Sequence, residues 1–312
     1  MKLGAAYLSV ALLCACTRAP DWTSVHGEAK KPIKRVDVVQ TIAGSSSLLV
    51  AATQSGALLI STDAGANWTR KQLANASLID LAVCPNGNLI GIDFYQRVWS
   101  GNATGDDWLP HKIDRPKTPL AVTCDSKGFW WVVGTNATIA TSTDQGKSWR
   151  TIDLNADAQI TTIQFVDELH GFALGEFGMV IKTEDGGSNW VKMPVIPEEF
   201  YPYAALFIDR DRGWASGIAG RILATRDGGK TWQRQNNESG MSLYRLFLHQ
   251  GVPHGVGAGG TVARWEKDDW RIVYYPDAAP VFLGAGSSLP SRKTLVIGGP
   301  GGLLRTFDTS KN

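Results

Sequence analysis

Tyrosines, carboxylates and arginines are the residues of this sequence with the most chemical potential, so glycoside hydrolysis is the first reaction to consider. Tyr201 and Tyr203 lie close in sequence to Glu198 and Glu199, and some glycosidases use a tyrosine as nucleophile. Closeness along a loop does not give the required geometry, and the 29 acidic residues supply many other carboxylate pairs. A glycoside-hydrolase-like enzyme is therefore kept only as an alternative.

Other kinds of catalytic chemistry find less support. The five histidines, at positions 26, 111, 170, 249 and 254, lack the clustering of zinc ligands. The sequence contains neither a G-x-S-x-G nucleophile elbow nor a phosphate-binding loop. We expect no catalytic residues, no metal and no cofactor.

The N-terminus has the pattern of a lipoprotein signal. An uncharged run from Leu3 to Ala15 reaches about 20 Å as a helix, too short to span a bilayer. The residues Leu13-Cys14-Ala15-Cys16 resemble a bacterial lipobox, which predicts cleavage before Cys16 and lipidation of that cysteine. An ordinary secretory signal is the alternative. We expect a signal peptide over residues 1–15 and one domain over 16–312, lipid-anchored in the bacterial cell envelope and facing the periplasm; Thr17 favours the outer membrane.

The composition points to a folded all-β protein. Hydrophobic residues make up 43% of the chain and charged residues 19%, with 34 glycines and 12 tryptophans, which argues against disorder and indicates many tight turns. The formal net charge is only +2. A nucleic-acid binder that relies on bulk positive charge is therefore excluded.

An internal repeat sets the architecture. The pattern Ser/Thr-x-Asp-x-Gly-x-x-Trp occurs four times, and two worn copies end at Trp108 and Trp270. The successive tryptophans 68, 108, 149, 190, 232 and 270 are 40, 41, 41, 42 and 38 residues apart. A period near 41 predicts a four-stranded propeller blade per repeat.

The two ends of the chain determine the number of blades. A seventh copy begins at Thr306, but the chain ends at Asn312, before a fourth strand. The segment Asp21–Val25 has the pattern of a strand without three strands before it, so we expect it to complete the last blade. The prediction is a seven-bladed β-propeller closed by an N-terminal strand, with six blades as the alternative.

The repeated aspartates and tryptophans are expected to be structural. The aspartate can accept hydrogen bonds within its own turn, and the tryptophan can wedge between neighbouring blades. The four complete copies contain Asp63 and Trp68, Asp144 and Trp149, Asp185 and Trp190, and Asp227 and Trp232.

These motifs resemble Asp-boxes, also known as bacterial neuraminidase repeats. The longer stretch from Thr162 to Trp190, with His170-Gly171-Phe172-Ala-Leu-Gly175 before the Asp-box, resembles the photosystem II stability/assembly factor family. That resemblance implies a non-catalytic propeller that binds a membrane protein or envelope complex, with a membrane anchor and without nucleic acid. The arginine triad and early Arg-Ile-Pro segment of sialidases are not matched, because Arg-Ile occurs only at 221–222 and 271–272.

Two regions are candidates for binding that partner. Residues 204–312 contain 14 basic and 9 acidic residues, which predicts a positive side over the last three blades; ordinary surface scatter is the alternative. The proline-rich segment 194–203 contains aromatic residues suited to a protein contact; packing of the loop on its own blade is the alternative. The candidate partner-binding residues are Arg212, Arg221, Arg245, Arg264, Arg305, Phe200, Tyr201 and Tyr203.

Two cysteines remain after the signal is accounted for. Cys84 and Cys124 are 40 residues apart, one blade period, so they are expected at the ends of inner strands in adjacent blades. A disulfide and two free buried thiols both fit this position.

The sequence therefore predicts a lipid-anchored binding scaffold similar to an assembly factor. A permanent accessory subunit of an envelope transporter and a glycosidase-like enzyme are the alternatives.

Overall fold

The computed structural model describes residues 23–289 and 293–309, and this part of the chain is almost entirely β-structure. The chain divides into two compact units, and the boundary along the sequence falls between Lys31 and Pro32. The described part of the first unit contains α1 (Thr23–Lys30), and all strands belong to the second unit. No helix among the described residues has the length and apolar character to cross a membrane.

Consecutive antiparallel strands form the first four sheets. Sheet 1 contains β1 (Val39–Ser45), β2 (Leu48–Thr53), β3 (Ala57–Ser61) and β4 (Thr69–Gln72). Sheet 2 contains β5 (Leu78–Val83), β6 (Leu89–Asp93), β7 (Arg97–Gly101) and β8 (Trp108–Lys112). Sheet 3 contains β9 (Pro119–Cys124), β10 (Trp130–Gly134), β11 (Thr138–Ser142) and β12 (Arg150–Asp153). Sheet 4 contains β13 (Ile160–Phe165), β14 (Gly171–Gly175), β15 (Met179–Thr183) and β16 (Val191–Lys192).

Three further groups of strands follow the same antiparallel order. Sheet 5 contains β17 (Pro202–Phe207), β18 (Gly213–Gly217), β19 (Ile222–Thr225) and β20 (Gln233–Asn237). Sheet 6 contains β21 (Leu243–His249), β22 (Val252–Gly257), β23 (Val262–Glu266) and β24 (Asp269–Ile272). Sheet 7 contains β25 (Ala285–Leu289), β26 (Thr294–Gly298) and β27 (Leu304–Asp308). Sheets 5 and 6 also join at their outer edges, where β20 pairs with β24 in parallel.

The first strands of the sheets lie next to one another in chain order. Each first strand contacts the first strand of the following sheet, and β25 contacts β1. Second strands such as β2 and β14 are buried along their whole length, whereas the fourth strand β4 is mostly exposed. The apolar core therefore lies between neighbouring sheets, and the fold is all-β and propeller-like.

The predicted N-terminal strand does not form over its described residues. Asp21 and Trp22 lie outside the described residues, while Thr23 to Val25 begin α1. The alternation from Asp21 to Val25 covers only five residues, and the following Glu28, Ala29 and Lys30 favour a helix. Sheet 7 has three strands among the described residues.

The last sheet meets the first through backbone hydrogen bonds. The Val39 N–H donates to the Gly299 carbonyl at 3.0 Å, and the Gly302 N–H donates to the Asp37 carbonyl at 2.8 Å. The buried Asp37 carboxylate also accepts two hydrogen bonds from Arg70, at 2.8 and 3.0 Å. The residues just before β1 therefore tie the start of sheet 1 to the turn between β26 and β27.

The two glycines of the segment Gly175-Glu-Phe-Gly178 are required for different reasons. The turn between β14 and β15 closes with the Met179 N–H donating to the Glu176 carbonyl, and its two central residues, Phe177 and Gly178, have positive φ, 60° and 69°, as a type I′ turn requires. Gly175 is extended, but a Cβ there would meet the Gln159 carbonyl. Gly178 is therefore needed for its positive φ, and Gly175 is needed because the Gln159 backbone approaches too closely for a side chain.

Candidate functional site

Two faces of the propeller-like unit can be distinguished. Because the strands are antiparallel, the first-to-second and third-to-fourth strand turns lie at one end of each sheet. We call this end the repeat face, since it carries the four complete repeat turns at 61–68, 142–149, 183–190 and 225–232. The second-to-third strand turns and the connections between sheets lie at the other end, the opposite face.

The repeat turns are organised by their aspartates. Asp63 Oδ1 accepts hydrogen bonds from the Asn67 N–H and the Ser61 hydroxyl, each at 2.8 Å. These bonds, with that of the Asn67 side chain, lower the pKa of Asp63 to about 2. The Ser148 side chain and backbone likewise lower the pKa of Asp144 to about 2, and the pKa values of Asp185 and Asp227 are also lowered. Each carboxylate is occupied within its own turn.

An arc of aromatic rings lies on the opposite face. We call Tyr201, Tyr203, Tyr244 and Phe282 the aromatic arc; their consecutive ring centroids are 5.9, 5.3 and 4.5 Å apart. These separations are those of interacting aromatic pairs. The arc runs from the connection before sheet 5 to the connection before sheet 7.

Exposed apolar side chains accompany the arc. Phe177, Ile218 and Met241 are 71%, 46% and 46% exposed. Phe177 and Ile218 lie in second-to-third strand turns, and Met241 lies in the connection before sheet 6. The opposite face thus presents an apolar surface of the kind that marks interaction sites.

Two members of the arc occupy equivalent strand positions. Tyr203 and Tyr244 are the second residues of β17 and β21, where the register with the next strand shifts by one residue. The same shift occurs at Gln40, Ile79, Leu120 and Thr161. Each first strand of sheets 1 to 6 therefore has a β-bulge near the opposite face, and bulges commonly re-aim a side chain.

Arg245 links two distant sheets. Its Nη2 lies 3.1 Å from Asp80 Oδ1, on β5 of sheet 2, and also donates to the Ile79 carbonyl at 3.4 Å. Asp80 Oδ2 accepts a hydrogen bond from the Val122 N–H at 3.0 Å. Arg245 stays a predicted partner-binding residue; its side chain is 34% exposed, and its guanidinium is paired with Asp80 of another first strand.

The other predicted arginines do not share one surface. Arg212 pairs with Asp209 in a repeat-face turn at 2.7 Å, whereas Arg221, beside the opposite face, donates to the Glu198 carbonyl at 2.8 Å. Arg264 pairs with Glu266 at 2.9 Å. Arg305 lies on the exposed part of β27. Acidic neighbours therefore offset much of the local positive charge that the sequence predicts.

One of the predicted aromatic contact residues is buried. Phe200 has no exposed surface and packs in an apolar cluster with Phe172 and Ile196. The prediction that Phe200 is an exposed contact residue is therefore wrong, because the loop packs this ring on its own sheet. Tyr201 and Tyr203 remain partly exposed.

The tyrosine and carboxylate geometry differs from the pairing considered above. Tyr201 donates its hydroxyl to Glu176 Oε1 at 3.0 Å, while Glu198 Oε2 lies 3.9 Å from both Arg221 and Arg234. Burial, together with the Glu176 hydrogen bond, raises the pKa of Tyr201. A raised pKa disfavours the phenolate that a nucleophilic tyrosine needs.

The two cysteines of the described region are covalently linked. Cys84 and Cys124 form a disulfide, with their Cα atoms 5.1 Å apart, at the repeat-face ends of the adjacent strands β5 and β9. Cys16 lies outside the described residues. Within residues 23–289 and 293–309, no group of three or more His, Cys, Asp or Glu side chains is arranged to hold a metal ion.

The sequence analysis did not identify two residues of the aromatic arc, Tyr244 and Phe282, or the ion pair between Arg245 and Asp80. Tyr203 and Tyr244 are 41 residues apart, so the repeat period itself could have revealed that they stand in one column. Phe282 and the Arg245–Asp80 contact carry no such signal, because each depends on how non-equivalent segments meet in three dimensions.

Comparison with known proteins identifies related sequences. The family model described as photosynthesis system II assembly factor YCF48 matches residues 100–198 and 143–242. The photosystem II assembly lipoprotein Ycf48 of Synechococcus sp. (strain CC9902) is 35% identical over 60 residues. That stretch is 19% of this chain and 18% of the relative, so the match spans less than a fifth of either protein.

Solved structures show the same fold. A structure described as YCF48 bound to D1 peptide has a TM-score of 0.72 and 13% identity, and covers 89% of this chain and 95% of that one. YCF48 from Cyanidioschyzon merolae has a TM-score of 0.71 and 15% identity, covering 90% and 98%. A catalytically inactive virginiamycin B lyase from Staphylococcus aureus with quinupristin has a TM-score of 0.75 and 12% identity, covering 87% and 95%.

The family model, the sequence relative and the two YCF48 folds agree with one another. The lyase shows that the fold also occurs in enzymes, so the fold does not decide activity. The chain is similar to photosystem II assembly factors of the YCF48 type, and the comparisons support a propeller-like fold with bacterial neuraminidase repeats.

Proposed function

We propose that this chain is a non-catalytic, lipid-anchored scaffold that binds a segment of a membrane protein across the aromatic arc. The single observation that carries the proposal is the continuity of the four rings over sheets 5 to 7, beside the exposed Phe177, Ile218 and Met241. Aromatic residues and methionine are enriched at protein interfaces. A structural relative is described as bound to the D1 peptide, which supports a peptide-like partner.

The finer architecture is part of this proposal. The sheets form a seven-bladed ring, which the hydrogen bonds of Asp37 and Val39 to the last turn close in place of an N-terminal strand. Cleavage before Cys16 leaves residues 16–31 between a lipidated terminus and the unit that begins at Pro32. The protein faces the periplasm, and Thr17 favours the outer membrane.

Affinity purification with crosslinking tests the binding site. The tagged full-length protein is expressed in its host with a photocrosslinking residue in place of Tyr244, and membranes are irradiated before purification. We expect a crosslink to a membrane protein, and at least about a tenfold lower yield of the same partner from a Tyr203→Ala, Phe282→Ala double variant, because central aromatic residues dominate interface energy.

A matched control separates the arc from general surface loss. Leu109→Ala removes an apolar side chain that is 60% exposed on β8 of sheet 2, and should leave the yield unchanged. Equal loss in both variants, or a crosslink from a photocrosslinking residue at Leu109 but none from Tyr244, overturns the arc as the binding site. A constant stoichiometric transporter partner would favour the accessory-subunit alternative over a transient assembly factor.

A further inference from the structure

A cavity of about 490 Å³ opens between sheets 5 and 6, away from the aromatic arc. Its size falls within the roughly 300–1,000 Å³ of small-molecule sites. We call it the indole groove, because Trp214 of β18 and Trp265 of β23 both line it. Their ring centroids are 5.1 Å apart and the ring planes are inclined by 60°.

The indole groove exists because sheet 6 lacks a repeat turn. Between sheets 3 and 4, the glycine of the next repeat turn, Gly187, lies directly against the Trp131 ring, with no room for a Cβ. Between sheets 1 and 2, Gly105 lies in the same way against Val50. Sheet 6 instead turns through only Lys267 and Asp268, both with positive φ. This short turn leaves the space beside Trp214 unfilled.

Sheets 5 and 6 are joined by direct contacts, one of them between two residues that line the groove. The parallel pairing of β20 and β24 joins Asn236 to Asp269 and Asn237 to Trp270. Arg226 of sheet 5 donates to Asp268 of sheet 6 at 2.7 Å. The groove therefore lies between two sheets whose outer strands are hydrogen-bonded together.

The charged side chains that line the groove are three carboxylates and two guanidiniums. Arg226 pairs with Asp268, and Arg212 pairs with Asp209, both at 2.7 Å. Asp211 lies 3.3 Å from Arg210. Each of these carboxylates has a guanidinium partner, although Arg210 itself does not line the groove, so an ionic ligand finds no unpaired charge there.

We propose that the indole groove binds a neutral saccharide. A sugar ring has apolar C–H faces that can pack on an indole, and vicinal hydroxyls that can bond to carboxylate, guanidinium and the Gln235 carboxamide at the rim. An anionic ligand would meet three carboxylates, and a cationic ligand would compete with arginines that are already paired. This inference is independent of partner binding at the aromatic arc.

Saturation-transfer NMR tests the proposal directly. The full-length protein is purified in a detergent without a sugar headgroup and mixed with glucose, N-acetylglucosamine or its β-1,4-linked dimer. We expect saturation transfer to the ring protons of at least one sugar, with a dissociation constant that tryptophan fluorescence also reports. Trp265→Ala should weaken binding by at least about tenfold, because the stacking face is lost.

Two further variants keep the test decisive if Trp265→Ala does not fold. Ala224→Phe, at a groove-lining position, should block the groove and abolish transfer while both tryptophans remain. Arg226→Gln should weaken binding several-fold, whereas Arg115→Gln, which breaks the comparable pair with Asp153, should have no effect. Absence of transfer with all three sugars, or transfer that Ala224→Phe leaves intact, overturns the proposal.

Discussion

Trp131 and Trp214 occupy the same position in two different sheets, yet their surroundings differ. Each is the second residue of a second strand, β10 or β18, and the two are only 2% and 4% exposed. Gly187 of the next repeat turn packs on Trp131, whereas beside Trp214 the next sheet has a two-residue turn and a cavity of about 490 Å³. The repeat turn therefore has a second role, as the filler of the groove behind it.

The indole N–H of Trp131 has a hydrogen-bond partner, whereas that of Trp214 has none among the described residues. Trp131 Nε1 donates to Asp125 Oδ2 at 3.0 Å, and its ring contacts Phe165 and Trp190 at 5.0 and 5.9 Å. Among the described residues, the buried Trp214 Nε1 has no hydrogen-bond partner. Trp131, which the repeat turn covers, is therefore held by packing and a hydrogen bond, whereas Trp214, beside the indole groove, is held by packing alone.

The largest expected effect comes from removing either indole. Trp131→Ala should lower the free energy of unfolding by about 4 kcal/mol or more, because it leaves a cavity in a filled groove and removes a donor from the buried Asp125. Trp214→Ala should cost about 3 kcal/mol, since its surroundings are already open on one side. Urea unfolding of the full chain measures both.

The order of these two losses is the informative result. A larger loss for Trp214→Ala than for Trp131→Ala would contradict the idea that the repeat turn tightens the groove it covers. A matched pair of phenylalanine variants, which keep an aromatic ring at each position, should retain most of the stability and the same order.

The next largest effect depends on pH and concerns His254, which occupies the same position as Trp214 one sheet later. His254 stands in β22 three residues before Gly257, as Trp214 stands before Gly217. Burial lowers its pKa from 6.5 to about 4, against the opposing effect of a hydrogen bond to the Val252 carbonyl. The folded state therefore favours the neutral ring, and this stability, about 3 kcal/mol, is present above pH 6.5 or so and is lost as the pH falls towards about 4.

Urea unfolding at about pH 7 and about pH 4 isolates this contribution by comparison with His254→Gln. The wild-type chain should lose more stability on acidification than the variant, because the glutamine does not titrate. His249, whose pKa burial also lowers, and the carboxylates titrate in both proteins. An equal loss in both would show that protonation of His254 does not oppose folding.

The comparison also explains what the sequence could and could not predict. The Trp-to-Trp period predicted four strands per repeat, as sheets 1 to 6 have, because that signal is local and repeated. The incomplete repeat that ends at Trp270 is visible in the sequence. The cavity beside it is not, because that cavity is also lined by Trp214 of the preceding sheet. Likewise, Phe200 was predicted to be exposed because its loop is rich in proline, while its burial depends on Phe172 and Ile196. Contacts between non-equivalent segments have no period to reveal them.

The smallest expected effect tests whether Gly187 of the repeat turn fills the space next to Trp131. Gly187 and Gly128 have nearly the same backbone, with φ of 81° and 80°, but a Cβ would meet the Trp131 ring at Gly187 and nothing within 4 Å at Gly128. Both alanine variants bear the cost of a positive φ, about 1 kcal/mol. Gly187→Ala should cost about 2 kcal/mol more, because Trp131 must shift in a packed groove. Equal free energies of unfolding for the two variants would show that the turn only borders the groove, and that its absence from sheet 6 is not what opens the space beside Trp214.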